Sequence, residues 1–411
     1  MPRFEPFTGL RYDTGRVDPN AVIAPPYDVI EPPERAILAR RHSANAVRVE
    51  LPEQDTRSGL DRYQNAAHLL GEWQKEGKLR RDPNPSFYAY RMTPPGGGVH
   101  TTGIIGALAL DAHGSGEVLP HEETLPKPKS DRLELLRATN ANLSPIWGLS
   151  LTPGLSKVYN IDFRPAVSAV DDEGVRHELW VIDDEATIGA VKAAVADSPV
   201  VIADGHHRYE TSLAFQRERQ RALGGALGGD AHRDEGIDDF DLVMALVVEL
   251  SDEELAVGPV HRVLSGLPDG FDLVDAFSSW FDVMRAGEFT PRNTAALGES
   301  AALALVMPSG VWLLSPKDGT AEAAGSDLDS SMVALVVAEL PEHELEFRYS
   351  WRDAISVIDR EQAQAAVLLR PVTVEQIADW ARAGRRMPPK STFFHPKPRT
   401  GMVYRTLSAP G

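Results

Sequence analysis

Val201-Ile202-Ala203-Asp204-Gly205-His206-His207-Arg208-Tyr209-Glu210-Thr211 runs from a short apolar stretch into a glycine turn crowded with ionisable groups. Tyr209 to Arg219 continue with helical composition, so the local structure implied is strand, turn, helix. At such a junction the opening N–H groups of the helix lack intrahelical acceptors and point outward, which suits the loop to an anion such as phosphate. Arg208 adds a planar fork for phosphate oxygens. Asp204, at the strand end, can accept a proton or hold a metal ion. The plainer alternative is that Asp204 only caps the helix and Arg208 only pairs with it. Convergent titratable groups beside a glycine turn favour a site.

Upstream, Ala21-Val22-Ile23-Ala24-Pro25-Pro26-Tyr27-Asp28-Val29-Ile30 reads as a strand entering a rigid turn. Glu34 to Arg41 reads as a helix, Ala46 to Leu51 as a strand, and Leu60 to Glu76 as an amphipathic helix. Phe87 to Met92 and Thr101 to Leu110 are expected strands. A second chemical loop follows, Leu119-Pro120-His121-Glu122-Glu123-Thr124-Leu125-Pro126-Lys127-Pro128-Lys129, ahead of a helix from about Ser130 to Thr139. Its lysines and glutamates give it a polyanion-friendly and a proton-accepting face, or simply a solvated charged surface. Ile146 to Leu151 resumes an apolar strand, Thr187 to Ala196 is a helix, and Phe240 to Leu250 is a strongly apolar strand. In the third region the pattern predicts a helix over Phe271 to Phe281, strands at Ala302 to Met307 and Gly310 to Leu314, and a helix at Asp327 to Ala338. Near the end, Met387-Pro388-Pro389-Lys390-Ser391-Thr392-Phe393-Phe394-His395-Pro396-Lys397-Pro398-Arg399 forms a basic island. Lys390 with the hydroxyls of Ser391 and Thr392 is a workable set for phosphate, and the two phenylalanines offer surface for a base. The other possibility is a basic solvated tail.

Composition bounds the rest. A chain of 411 residues with 42% hydrophobic and 25% charged residues is globular and too long for one ordinary core. The formal charge of -18 repels nucleic acid and membranes at long range, although a local basic pocket can still collect phosphate. There is no cysteine, so disulfides, thiolate metal sites and thiol nucleophiles are excluded. Met1 to Leu10 carries no long apolar run and no segment has the length to span a bilayer, which sets a cytoplasmic protein as the expectation. Oligomeric state is not legible.

The motifs from Ala24 to Ile30, His121 to Thr124, Asp131-Arg132 to Ser144-Pro145, Ala203 to Thr211 and Met387 to Gly401 resemble those of the DUF1015 proteins, a family similar to the free serine kinases of the ParB and sulfiredoxin superfamily. That resemblance implies an α+β fold: a ParB/sulfiredoxin-like core at residues 101–268, with mixed α/β additions at 1–100 and 269–411. It implies ATP or ADP with Mg2+, and a small-molecule acceptor such as L-serine, without nucleic acid or membrane. Glu122 or Glu123 would then position or deprotonate the acceptor hydroxyl, and Asp204 would assist or, with Glu122, hold the metal. Gly205, His206, His207 and Arg208 would hold phosphate or shuttle a proton, with Lys127, Lys129, Lys390, Ser391 and Thr392 as further phosphate ligands. Sulfiredoxin chemistry needs a cysteine where His206 stands. Two competing expectations are a metal-dependent hydrolase using His121, Glu122, Asp204, His206 and His207, and a nucleotide sensor without catalysis.

Overall fold

A computed structural model of the protein describes residues 1–97, 99–111, 114–120, 130–227, 238–251 and 253–407. It is a mixed α/β protein of two compact units, one of residues 1–256 with the segment from Pro396 onward, the other Val257–His395. The division therefore differs from the three regions expected: residues 1–100 share a unit with residues 101–256, and the chain's end returns to it. The reason is strand pairing across the expected boundary, since Phe4–Glu5 pairs with Thr101–Ala109.

Nine described strands of the first unit form one sheet, in the order Val118–Pro120, Val200–Asp204, Ile146–Ser150, Leu242–Glu249, Thr101–Ala109, Phe87–Thr93, Arg176–Ile182 and Val167–Val170, with Phe4–Glu5 alongside Thr101–Ala109. The central strands are apolar at nearly every position, not alternating, because both faces are covered. Phe4, Phe87, Ile104, Ile146, Val200, Ile202 and Val247 build one core. Leu10, Tyr12, Val47, Trp73, Leu135 and Tyr404 build a second, joining the amphipathic helix Arg62–Lys75 to the returning tail. Gly106 is required where it stands, since a Cβ there would lie 2.5 Å from the Phe4 ring and 2.6 Å from that of Phe87.

Two expected strands fold otherwise. Within Ala21–Ile30, Asp18 caps a short helix Pro19–Val22, and Tyr27–Val29 is a 3-10 turn. Proline at the first helical position and two more at 25 and 26 leave too few donors for a ladder, and only Ala24 forms an isolated bridge, to Thr400. Ala46–Leu51 has strand-like alternation, yet Val47–Glu50 is helical. Asn45 sets this turn: its Oδ1 accepts from the Val47 N–H at 2.9 Å while its amide donates to Ala21 O at 2.8 Å. The expected helices at Glu34–Arg41, Leu60–Glu76 and Thr187–Ala196 are present as Pro32–Arg41, Arg62–Lys75 and Glu185–Ala196.

In the second unit a six-stranded antiparallel sheet runs Phe281–Gly287, Gly310–Pro316, Ala304–Met307, Ala365–Leu368, His261–Ser265 and Glu344–Arg348. Period-two alternation sends Leu264, Leu305 and Val367 to one core and Val263, Ala304, Val306 and Ala366 to another, which packs on the helix Trp351–Asp359. The helix expected over 271–281 is confined to Leu273–Ser278, and Phe281 instead opens an edge strand.

Candidate functional site

Val200–Asp204 ends in Asp204, Gly205 turns at φ +87°, and a helix of 22 residues, His206–Leu227, begins at once. The expected strand, turn and helix are therefore present. Positive φ at Gly205 brings the Arg208 guanidinium back over the turn, 3.1 Å from where a Cβ would stand. Arg208 Nη2 donates to Asp204 Oδ2 at 3.0 Å, and its Nη1 donates to the Pro145 carbonyl. The other Asp204 oxygen, Oδ1, accepts from Lys397 Nζ at 2.7 Å. Burial by itself would push the Asp204 carboxyl up, but Lys397, Arg208 and His206 prevail and hold it well below the usual carboxylate range. Burial likewise opposes the charge on Arg208, and Asp204, Asp28, Tyr27 and Glu50 together raise its pKa.

A second layer lies against this triad. Arg132 sits over the Tyr27 ring, 4.4 Å from its centroid, and donates to Glu50 O at 2.7 Å and to Asp131 Oδ2 at 2.7 Å. Ser144 Oγ donates to Glu50 Oε1 at 3.1 Å. Four motifs distant in sequence thus converge, around Tyr27, Arg132, Ser144 and Asp204, and the returning tail adds Lys397.

The tail is held by a further network. Arg399 Nε donates to Asp171 Oδ2 at 2.7 Å, and Arg399 Nη2 pairs with Asp171 and, at 3.0 Å, with Glu173. His177 Nε2 shares a hydrogen bond of 2.8 Å with the same Asp171 oxygen, and its Nδ1 one of 2.7 Å with the Tyr90 hydroxyl. Burial of Asp171 is outweighed by His177 and Arg399, which hold its carboxyl far below the ordinary range. Arg399 is thus buried in ion pairs and is no part of a solvated tail.

Of the residues expected from sequence, Asp204, Gly205, His206, His207 and Arg208 lie together at this turn. Glu122, Glu123, His121, Lys127 and Lys129 lie outside the described residues. Lys390, Ser391 and Thr392 belong to the second unit, where Lys390 Nζ donates to the Tyr349 hydroxyl at 3.2 Å and the Ser391 hydroxyl shares a bond of 2.9 Å with that of Ser330. Phe393, expected to offer its face to a base, stacks on Tyr349 with centroids 4.4 Å apart. Each Asp204 oxygen already accepts from a cation of the chain. Among the described residues no group of three or more His, Asp or Glu side chains could hold a metal ion. Glu50, Lys397 and Ser144 are site residues beyond those expected from sequence; Glu50 stands at a polar position of the alternating segment Val47 to Leu51, which carries no signal of a site.

The model of the family described as "Protein of unknown function (DUF1015)" matches residues 4–337, and the chain belongs to that family. Solved structures that it resembles include a conserved hypothetical protein from Pyrococcus furiosus, at 13% identity over 70% of this chain and 90% of that one, with a TM-score of 0.35. A free serine kinase in complex with AMP shares 14% identity over 71% of this chain and 88% of the other, with a TM-score of 0.37. C-terminally truncated SbnI from Staphylococcus aureus shares 12% over 73% and 86%, with a TM-score of 0.35. No curated protein matches the chain. Among the described residues no helix is long and apolar enough to cross a membrane.

Proposed function

We propose that the protein is a nucleotide-dependent kinase with a ParB/sulfiredoxin-like core that phosphorylates the hydroxyl of free L-serine, with ATP or ADP as donor. One observation carries the reading. The strand Val118–Pro120, which leads into His121-Glu122-Glu123, is parallel to Val200–Asp204 and in register with it, Pro120 opposite Ile202. Both motifs are thus fed from one end of adjacent strands, the place where open α/β sheets collect ligands. At that end Asp204, Arg208 and Lys397 carry a net positive charge beside the outward N–H groups of a long helix, which favours phosphate.

Phosphoryl transfer needs charge neutralisation and in-line positioning more than a protein nucleophile. The acceptor oxygen attacks the terminal phosphorus, the nucleotide leaves one phosphate shorter, and the hydroxyl proton passes to a carboxylate, Glu122 by preference. Gly205, His206, His207 and Arg208 hold the phosphates at the turn, and Asp204 anchors the two cations. The test is incubation with ATP or ADP, magnesium and a panel of amino acids, followed by phosphorus NMR. O-phosphoserine is expected from the natural protein and none from Asp204→Asn or Glu122→Gln with the fold retained. Full activity of both variants refutes the mechanism, and tight nucleotide binding without transfer to any amino acid identifies a sensor.

A further inference from the structure

Tyr90, His177, Asp171 and Arg399 close a ring of hydrogen bonds, and the chemistry of its members fixes where each proton lies. Asp171 is held ionised despite its burial, so its carboxylate can only accept. The 2.8 Å bond therefore runs from His177 Nε2–H to Asp171 Oδ2. Burial lowers the His177 pKa, so at neutral pH the ring is uncharged and Nδ1 carries a lone pair. Burial raises the Tyr90 pKa, so the hydroxyl keeps its proton and donates it to that Nδ1 at 2.7 Å. The Tyr90 oxygen accepts in turn from the Arg399 backbone N–H at 3.1 Å. Arg399 Nε closes the ring by donating to Asp171 Oδ2 at 2.7 Å.

Arg399 is thus gripped at its main chain and at its fork. The grip is itself anchored, because Asp171 Oδ1 accepts from the Glu173 and Val175 N–H groups, each at 2.9 Å, in the hairpin between Val167–Val170 and Arg176–Ile182. Beyond Arg399, Thr400 N donates to Ala24 O at 2.8 Å and Thr400 O accepts from Ala24 N at 3.1 Å. Only Pro398 separates this anchor from Lys397, and Pro396 flanks it on the other side. Proline fixes its own φ and biases the residue before it to extended backbone, so little freedom is left between the anchor and the Lys397 ammonium at Asp204. We infer that Tyr90, His177 and Asp171 are positioning residues of the Asp204 turn, which act through Arg399 to place Lys397. The inference rests on the kinase reading only for what the turn binds.

Two measurements without nucleotide test it. In histidine-labelled natural protein at neutral pH, nitrogen NMR, with the His177 signals assigned by their loss in His177→Gln, is expected to show a proton on Nε2 and none on Nδ1. A charged His177, or one protonated on Nδ1, overturns the inference without any folded variant. The second is the double-mutant cycle between Lys397→Met and Asp204→Asn, by urea unfolding, in the natural and Tyr90→Phe backgrounds. A merely structural role lowers the unfolding midpoint of Tyr90→Phe and leaves the coupling intact, whereas positioning makes the coupling vanish in that background. Unchanged coupling in Tyr90→Phe, or none in the natural protein, overturns the inference. Calorimetric binding of ADP is scored separately. Coupling lost in Tyr90→Phe with no ADP binding by the natural protein removes the kinase reading alone, and ADP binding with coupling that Tyr90→Phe leaves intact removes the inference alone.

Discussion

Replacing Lys397 by methionine keeps most of the apolar stem and deletes one of the two cations that hold Asp204. The pair is well shielded, with side chains 15% and 18% exposed and a separation of 2.7 Å. Orphaning a buried carboxylate outright costs about 3–5 kcal/mol, whereas losing one charge-assisted hydrogen bond costs about 1.5–3 kcal/mol. Arg208 still holds the other oxygen at 3.0 Å, so the second figure governs, and the expected loss is about 2 kcal/mol. For a unit of this size that corresponds to a fall in Tm of about 4–8 °C. Urea unfolding at neutral pH of the natural protein, Lys397→Met, Asp204→Asn and the double variant gives the coupling directly, expected to be about 1–2 kcal/mol.

The pH dependence has a definite sign. Asp204 is held below its unfolded-state value of 3.8, so the stability it contributes is fully present above that pH and fades as the carboxylate is protonated in more acid solution. The penalty of Lys397→Met should therefore be constant from neutrality down to about pH 5 and shrink below about pH 4. Zero coupling at neutral pH, or a penalty that grows on acidification, would refute the electrostatic account of the triad.

Gly205→Ala forces an L side chain into φ +87° with its Cβ 3.1 Å from the Arg208 guanidinium. It should cost about 1–2 kcal/mol, with Gly205→Asn milder, and an unaltered thermal midpoint for the alanine variant would show that the turn relaxes freely. Arg399→Lys keeps the charge but loses the fork that joins Asp171 to Glu173, and should lower stability by about 2 kcal/mol. A urea midpoint equal to that of the natural protein would show that the Asp171 and His177 network stands without it.

The strand, turn and helix at Asp204 were legible because their signals are local: an apolar run, a glycine at the turn, then helical composition. The region around Asn45 departs from its local pattern for the opposite reason. Alternation from Ala46 to Leu51 favours a strand, but the side chain of Asn45 bonds to Ala21 and Ile23, residues no local pattern connects with it. Lys397 was visible as part of a basic island, yet its partner lies 193 residues away, and composition carries no information about such pairing. The plainer sequence alternative, Arg208 bonded to Asp204, is present, and it is part of the site's construction.

That construction decides which roles the carboxylates can take. A proton acceptor works best when its pKa lies near the working pH, and Asp204, stabilised by two cations, is displaced the wrong way. In the phosphoryl transfer proposed above, its part is therefore electrostatic: it fixes the geometry of Arg208 and Lys397, and the proton goes to a carboxylate less strongly stabilised. Glu50 is shifted in the opposite sense within the same unit, buried and short of a donor. Carboxylates driven apart by their surroundings commonly divide a site's labour. Here one is held by two cations of the chain itself, and the other, 3.7 Å from Arg132, is governed by burial.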